Sequence, residues 1–361
     1  MTNKPEVTVC VTCVGGRLIY DIIRAIRDVD DFIVKIVGVD ADPQAHGRLL
    51  CDVFEVLPMA EYDPEGWLAG FRRICSNHGV NALVPLSEGE SRLVSQHRDS
   101  LVQNGVRSSV SSWSTVSTMT DKLLMLQRLV DRGVDAGGFE SLDSEAEIGG
   151  ILKRLGYPDR KVVMKPRQGR GSRGVLICDA SQAEFKRLLP DRFCGAGSHD
   201  ALLRAMEDEE GGFEEYIAVP FYGGPVSDVD CISKNGNLLQ TAVRLRQLKN
   251  PLWPTSTGHK IHMDPRVTEH AKALCAAFEI DGAGDFDIVI DDEGKAKLLD
   301  AGARFSGSVG GSYTAGANFP AQLLRSMMDL PLMPFHIEDG CVLRPYITMA
   351  QIPDANEHDL L

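Results

Sequence analysis

The chain has 361 residues, of which 43% are hydrophobic and 25% charged, with a formal net charge of -13. That length excludes a lone small module and that composition a disordered chain, while the acidic balance argues against a nucleic-acid surface, which needs a basic face to neutralise phosphates. Nine scattered cysteines suit reduced core thiols, and without a signal-like apolar segment or any apolar run near the roughly 20 residues of a membrane span, a cytoplasmic protein with no membrane partner is expected.

Residues 7–14 read as a buried strand, Gly15-Gly16 as a turn, and Ile19, Ile22, Ile23 and Ile26 as one face of a helix, the start of a βαβ unit. A second strand over 32–39 ends at Asp40, and a further one over 82–86 is followed by Ser87-Glu-Gly-Glu90. This alternation predicts a Rossmann-like α/β domain on an open parallel sheet over 1–115. Its first turn lacks a complete G-x-G-x-x-G, so the strand ends are expected to wall a site rather than hold a dinucleotide. Cys10 and Cys13 lie inside the first strand with no second pair at zinc spacing, and read as core packing. The Ser/Thr-rich stretch 108–120 reads as a link, followed by a helix that Asp121-Lys122 opens. From 116 to 361 an α+β domain in two parts is expected, 116–212 and 213–361.

In the first part Val162-Val-Met-Lys165-Pro leads through Gly169, Gly171 and Gly174 into the aliphatic run 175–178. The glycines match dinucleotide spacing, but no helical pattern follows, and no Lys-Ser/Thr pair follows the last glycine as a Walker loop requires. The stretch therefore reads as strand, phosphate-cradling flap, strand, with Lys165 as a compact cation. Taken alone, a glycine hairpin that binds nothing fits equally. A kinase-like arrangement is disfavoured, because the lysine precedes the glycines and no H-R-D loop exists.

Residues 181–206 read as helical around a break at 193–199, and 207–212 as an acidic solvated loop. Segments 213–219, 228–233, 238–246, 285–290 and 296–300 read as strands of a mainly antiparallel sheet. Arg244 and Arg246 alternate with Leu245 and project to one face. Asp287 and Asp300 sit on the last two strands, where cross-strand neighbours can bring two carboxylates to one hard cation, and Arg304 offers a planar fork to an anion.

In chain order, Met119-Thr-Asp-Lys122, Met164-Lys-Pro166, the glycines of 169–174, Phe213-Glu-Glu-Tyr-Ile217, Leu299-Asp-Ala-Gly-Ala-Arg304 and the segment 314–320 resemble ATP-grasp enzymes over nearly the whole length. The chain is most similar to stand-alone carboxylate-amine ligases related to the carbamoyl-phosphate synthetase large subunit. The resemblance implies a pre-ATP-grasp Rossmann-like domain before an ATP-grasp domain of two subdomains, ATP with Mg2+ or Mn2+, and small-molecule carboxylate and amine substrates, with a homodimer left open. It implies that Lys122, Lys165, Gly169, Gly171, Ser172 and Gly174 hold the ATP phosphates, and that Glu214, Glu215, Tyr216 and Ile217 form the adenine hinge. Asp287 and Asp300 would ligate the metal, and Arg304, Arg244 and Arg246 would serve the reaction. The implied activity joins a carboxylate to an amine through an acyl phosphate, as in an amino acid or peptide ligase. A carbamoyl- or carboxy-phosphate-forming enzyme and an ATP-binding regulator without turnover are the alternatives.

The sequence departs from the family pattern in three places. Asp300 stands where the family usually has Glu, and Gly302 where it usually has Asn, which removes one side-chain oxygen. The stretch 219–226 lacks the acid often supplied to ribose, for which Asp228 or Asp230 is the expected substitute. The loop 247–260, with Lys249, Trp253, His259 and Lys260, is expected to help select the second substrate, and His259 is a candidate base there.

Overall fold

A computed structural model describes residues 4–16, 19–169, 171–190, 192–207, 215–247 and 258–345. Three sheets organise them. The first is parallel throughout, with strands in the order Val53–Val56, Ile33–Asp40, Glu6–Thr12, Ala82–Val84 and Arg107–Ser108. Glu6–Thr12 is buried on both faces after its first residue, which requires helices on each side and explains its continuous aliphatic run. On one side Ile22 and Ile26 of helix Ile19–Arg27 join a core with Phe319 and Leu323 of helix Phe319–Met327.

The second sheet is mixed, with strands in the order Glu140–Leu142, Tyr216–Pro220, Val162–Pro166, Leu176–Cys178, Gly195–Gly197 and Lys186–Arg187. The third is antiparallel throughout, in the order Ala296–Gly302, Gly282–Ile290, Val226–Lys234, Asn237–Arg246, His259–Ile261 and Val342–Leu343.

Three expectations need correction. The Ser/Thr-rich link contains a helix, Trp113–Met119, because Ser112 caps it by accepting from the Thr115 amide at 3.3 Å. The helix read over 181–206 is confined to His199–Glu207; Pro190 and the Gly195-Ala-Gly197 run break helical propagation, and the chain before it supplies two short strands. The strand read over 213–219 is Tyr216–Pro220, and it pairs with Val162–Pro166 in the second sheet instead of joining the later strands. Among the described residues no helix is long and apolar enough to cross a membrane, and the nine cysteines form no disulfide bond with one another.

Candidate active site

The second and third sheets face each other across a cleft of about 470 Å³. Strand alternation along Val162–Pro166 sends Val162 and Met164 into the second sheet's core and leaves Val163 and Lys165 on the cleft wall. The Lys165 ammonium donates to the Leu299 carbonyl at 2.7 Å, a bond from one sheet to the other. Burial lowers its pKa to about 8, a fall opposed by Asp300 and deepened by Lys122. Lys122 donates to the Gly169 carbonyl at 3.0 Å and faces Asp300 at 3.4 Å. Asp121 caps the helix Lys122–Asp131 by accepting from the Leu123 and Leu124 amides, and also takes the Arg167 guanidinium at 2.7 Å. The helix start and the base of the glycine loop are thereby fixed to each other.

The hairpin expected at 162–178 is present, its strands paired antiparallel. Gly169, Gly171 and Gly174 have φ of 130°, 66° and 72°, and Ser172 has 63°. A chain turning through such conformations presents amides to a concave surface that suits phosphate oxygens. Gly171, Ser172 and Arg173 line the cleft, and Arg170 lies outside the described residues.

The opposite wall is a carboxylate-rich sheet face. Asp285 and Asp287, two residues apart on Gly282–Ile290, share that face. Asp287 stands opposite Asp300 on one neighbouring strand and opposite Asp228 on the other. In the adjacent row Asp285 stands opposite Gly302 and Asp230. Cations interleave with these acids. Arg246 donates to Asp228 at 2.7 Å and contacts Asp287 at 2.6 Å, and His259 Nε2 is 2.5 Å from Asp228. Arg304 donates to Asp285 at 3.1 Å and to the Phe305 carbonyl at 2.6 Å.

Burial pushes the Asp287 and Asp285 carboxyls well above the usual range, against the pull of Arg246 and Arg304 respectively. Burial acts the same way on Asp228, but Arg246, then His259 and Arg244, outweigh it and hold that carboxyl well below. Asp287 and Asp300 thus present hard oxygens on facing strands beside two lysines, a donor set that fits Mg2+, which takes one or two carboxylates together with phosphate oxygens.

Several candidates stand elsewhere than the sequence led one to expect. Arg244 shares a face with Arg246 but is fully buried, donating to Asp230 at 2.9 and 3.0 Å, to Ser306 at 2.8 Å and to Ser308 at 2.6 Å. Ser306 and Ser308 line the cleft, so Arg244 backs its wall from behind. Glu214 lies outside the described residues. Glu215 is exposed, its carbonyl accepting from the Arg167 amide at 2.7 Å. Tyr216 stands beneath Gly174, and Ile217 is buried in the core.

The segment that lines the cleft is 219–224, further along the chain, because the strand continues in register with Val162–Pro166 to Pro220 before Gly223 and Gly224 turn it. Of the two residues expected to serve the ribose, Asp230 is closed off beneath Arg244, whereas Asp228 lines the cleft while binding Arg246 and His259. His259 is buried against Asp228 rather than carried on an open loop, and Lys249 and Trp253 lie outside the described residues. The sequence reading missed Asp285, although its spacing from Asp287 was a sufficient signal, and it missed Ser306 and Ser308, which no pattern marked.

Residues 212–344 match a family model described as "ATP-grasp in the biosynthetic pathway with Ter operon". No curated protein matches the sequence. Among solved structures, the chain is similar to an L-amino acid ligase from Bacillus licheniformis, with a TM-score of 0.64 and 15% identity over 90% of this chain and 75% of that one. It is similar to N5-carboxyaminoimidazole synthetase from Staphylococcus aureus complexed with ADP, at 0.68 and 12% over 93% and 81%. It is also similar to a biotin carboxylase complex with β,γ-ATP from Campylobacter jejuni, at 0.67 and 16% over 91% and 73%.

Proposed function

We propose, from the ATP-grasp fold that this chain carries, that it is an ADP-forming ligase that activates a small carboxylate with ATP and joins it to an amine. The observation that supports this most directly is the opposition of Lys165 and Lys122 to Asp287 and Asp300 across one cleft, with Arg304 beside them. ATP would lie with its adenine at 219–224 and its phosphates between the lysines and the loop amides of Gly169, Gly171 and Ser172; the Gly174 amide, expected among them, instead donates to the Phe193 carbonyl at 2.7 Å. Asp287 and Asp300 would hold Mg2+, which when bound would neutralise charge on the phosphate oxygens. Arg304 orients the substrate carboxylate with its planar guanidinium.

A carboxylate oxygen then attacks the γ-phosphorus, a new P–O bond forms, and the bond to ADP breaks. The amine nitrogen next attacks the acyl carbon, phosphate leaves with the C–O electron pair, and the amine loses a proton. No nucleophilic side chain is required, and positioning with charge neutralisation supplies the rate. Closure of the 169–174 flap would keep water from the acyl phosphate. A second cavity opens from this cleft, sharing Glu88, Gln168 and Arg173 with it and adding Glu61, Arg92 and Gln96; it offers the amine a route to the acyl carbon.

The test is ADP release over paired carboxylates and amines, with mass measurement of the product. Lys165→Ala and Asp300→Ala are each expected to lower turnover about a hundredfold or more. Full turnover in either variant overturns the reading. One alternative is activation of bicarbonate to a carboxy phosphate, favoured by the likeness to a biotin carboxylase domain from Hydrogenobacter thermophilus in complex with MgADP and bicarbonate; ADP formation dependent on added bicarbonate would establish it.

A further inference from the structure

Gly302 leaves the metal-side strand without a side-chain oxygen, and the residue directly opposite it is Asp285. Directly opposed residues in an antiparallel pair hold their side chains about 5 Å apart on one face, so Asp285 presents a carboxylate to the space that a longer side chain at 302 would reach. Arg304 connects the two positions. A Cβ placed on Gly302 would meet the Arg304 guanidinium, with Cζ at 3.5 Å and Nη1 at 3.6 Å, and the same Nη1 donates to Asp285 Oδ2 at 3.1 Å. The other carboxylate oxygen, Oδ1, is buried and has no hydrogen-bond partner among the described residues. A buried carboxylate oxygen without a partner is costly, and Asp285 lines the cleft beside Asp287, Asp300 and Arg304.

We propose that Asp285 supplies the metal-ligating oxygen that Gly302 lacks, so that the cation is held from Asp285, Asp287 and Asp300 on two strands, with Arg304 fixing the Asp285 carboxylate through Oδ2. This rests on the ATP-dependent reading of the cleft given above. Among the described residues no three acidic or imidazole side chains already converge at ligand spacing; Lys122 faces Asp300, and Arg246 contacts Asp287. Nucleotide phosphates compete for those cations, and the carboxylates close on the ion as they are released.

The experiment is Mn2+ binding to the full-length protein with saturating ADP, followed by the loss of the free Mn2+ electron-spin signal, while ADP affinity without metal is measured in parallel. Asp285→Asn is expected to weaken Mn2+ binding at least about tenfold, with metal-free ADP affinity unchanged, and Asp285→Asn/Gly302→Asn to regain most of the loss. Unchanged Mn2+ affinity in Asp285→Asn overturns the inference and leaves Asp285 an ion-pair partner of Arg304. Recovery in Asp285→Asn/Arg304→Gln without a change at 302 also overturns it, since repulsion by an unpaired Arg304 then explains the loss. Failure of the unsubstituted protein to bind Mn2+ with ADP would instead bring down the ATP-dependent reading, and this inference with it.

Discussion

Arg244 is the side chain whose loss should cost the fold most. Its partner Asp230 is 1% exposed, and Ser312 adds a 2.5 Å hydrogen bond to the same carboxylate. Removing the guanidinium strands a buried anion, an imbalance that typically costs about 3–5 kcal/mol. Arg244→Ala is therefore expected to lose about that much in chemical denaturation, with the slackened Ser306 and Ser308 wall as a secondary effect. A stability loss well under 1 kcal/mol would show that the pair is hydrated.

His270 makes the stability of the fold depend on pH. Burial lowers its pKa to about 4, against the pull of Asp135, and its Nε2 has no hydrogen-bond partner among the described residues. The unfolded chain takes up a proton near pH 6.5 that the folded chain refuses until about pH 4, so this contribution to stability is complete above about 6.5 and is lost as pH falls toward 4. Its size is about 2 kcal/mol after allowance for partial solvation. His270→Gln should flatten the pH 4–6.5 limb of the stability profile, as read from thermal unfolding at a series of pH values; a parallel shift of the whole curve would count against this assignment.

At the scale of elements, the glycine hairpin is held at its far end. The Gly174 amide donates to Phe193 at 2.7 Å, and a Cβ there would lie 2.6 Å from both the Pro166 ring and the Tyr216 hydroxyl, at a φ of 72°. Gly169 has open space around its Cβ position. Gly174→Ala must therefore displace the hairpin base, at about 1–3 kcal/mol of local strain, whereas Gly169→Ala meets only its backbone penalty. Limited proteolysis reads the difference: ATP is expected to protect the 169–174 loop in the unsubstituted protein, and Gly174→Ala to be cut faster and protected less. Equal cleavage of the two variants would remove the hairpin base as the controlling feature.

The whole molecule depends on a seam between the first and third sheets. Asp281 receives Arg98 at 2.7 Å and Lys234 at 3.2 Å, and its amide donates to Ser111 at 3.0 Å. The next residue, Gly282, has a φ of 116°, and a Cβ on it would lie 2.4 Å from the Ser109 carbonyl oxygen. Only glycine allows this approach. Gly282→Ala is expected to cost about 1–3 kcal/mol and to lower the thermal midpoint while leaving metal-free ADP affinity of the folded protein unchanged. Loss of ADP affinity in step with stability would mean that the seam also sets the cleft.

The parallel N-terminal sheet, the lysine and glycine hairpin, and the placement of Asp287 and Asp300 on adjacent strands are legible in the sequence alone, because each of these follows from local period, turn chemistry and spacing along a few residues. Tertiary structure decided what those patterns could not contain. Whether Arg244 faces the cleft or the core, which residues after Glu215 line the cleft, and which carboxylate stands opposite Gly302 all depend on strand register and on depth beneath a neighbouring element. Register is fixed by the partner strand and burial by whatever covers the face, and both arise from contacts between segments far apart in the chain.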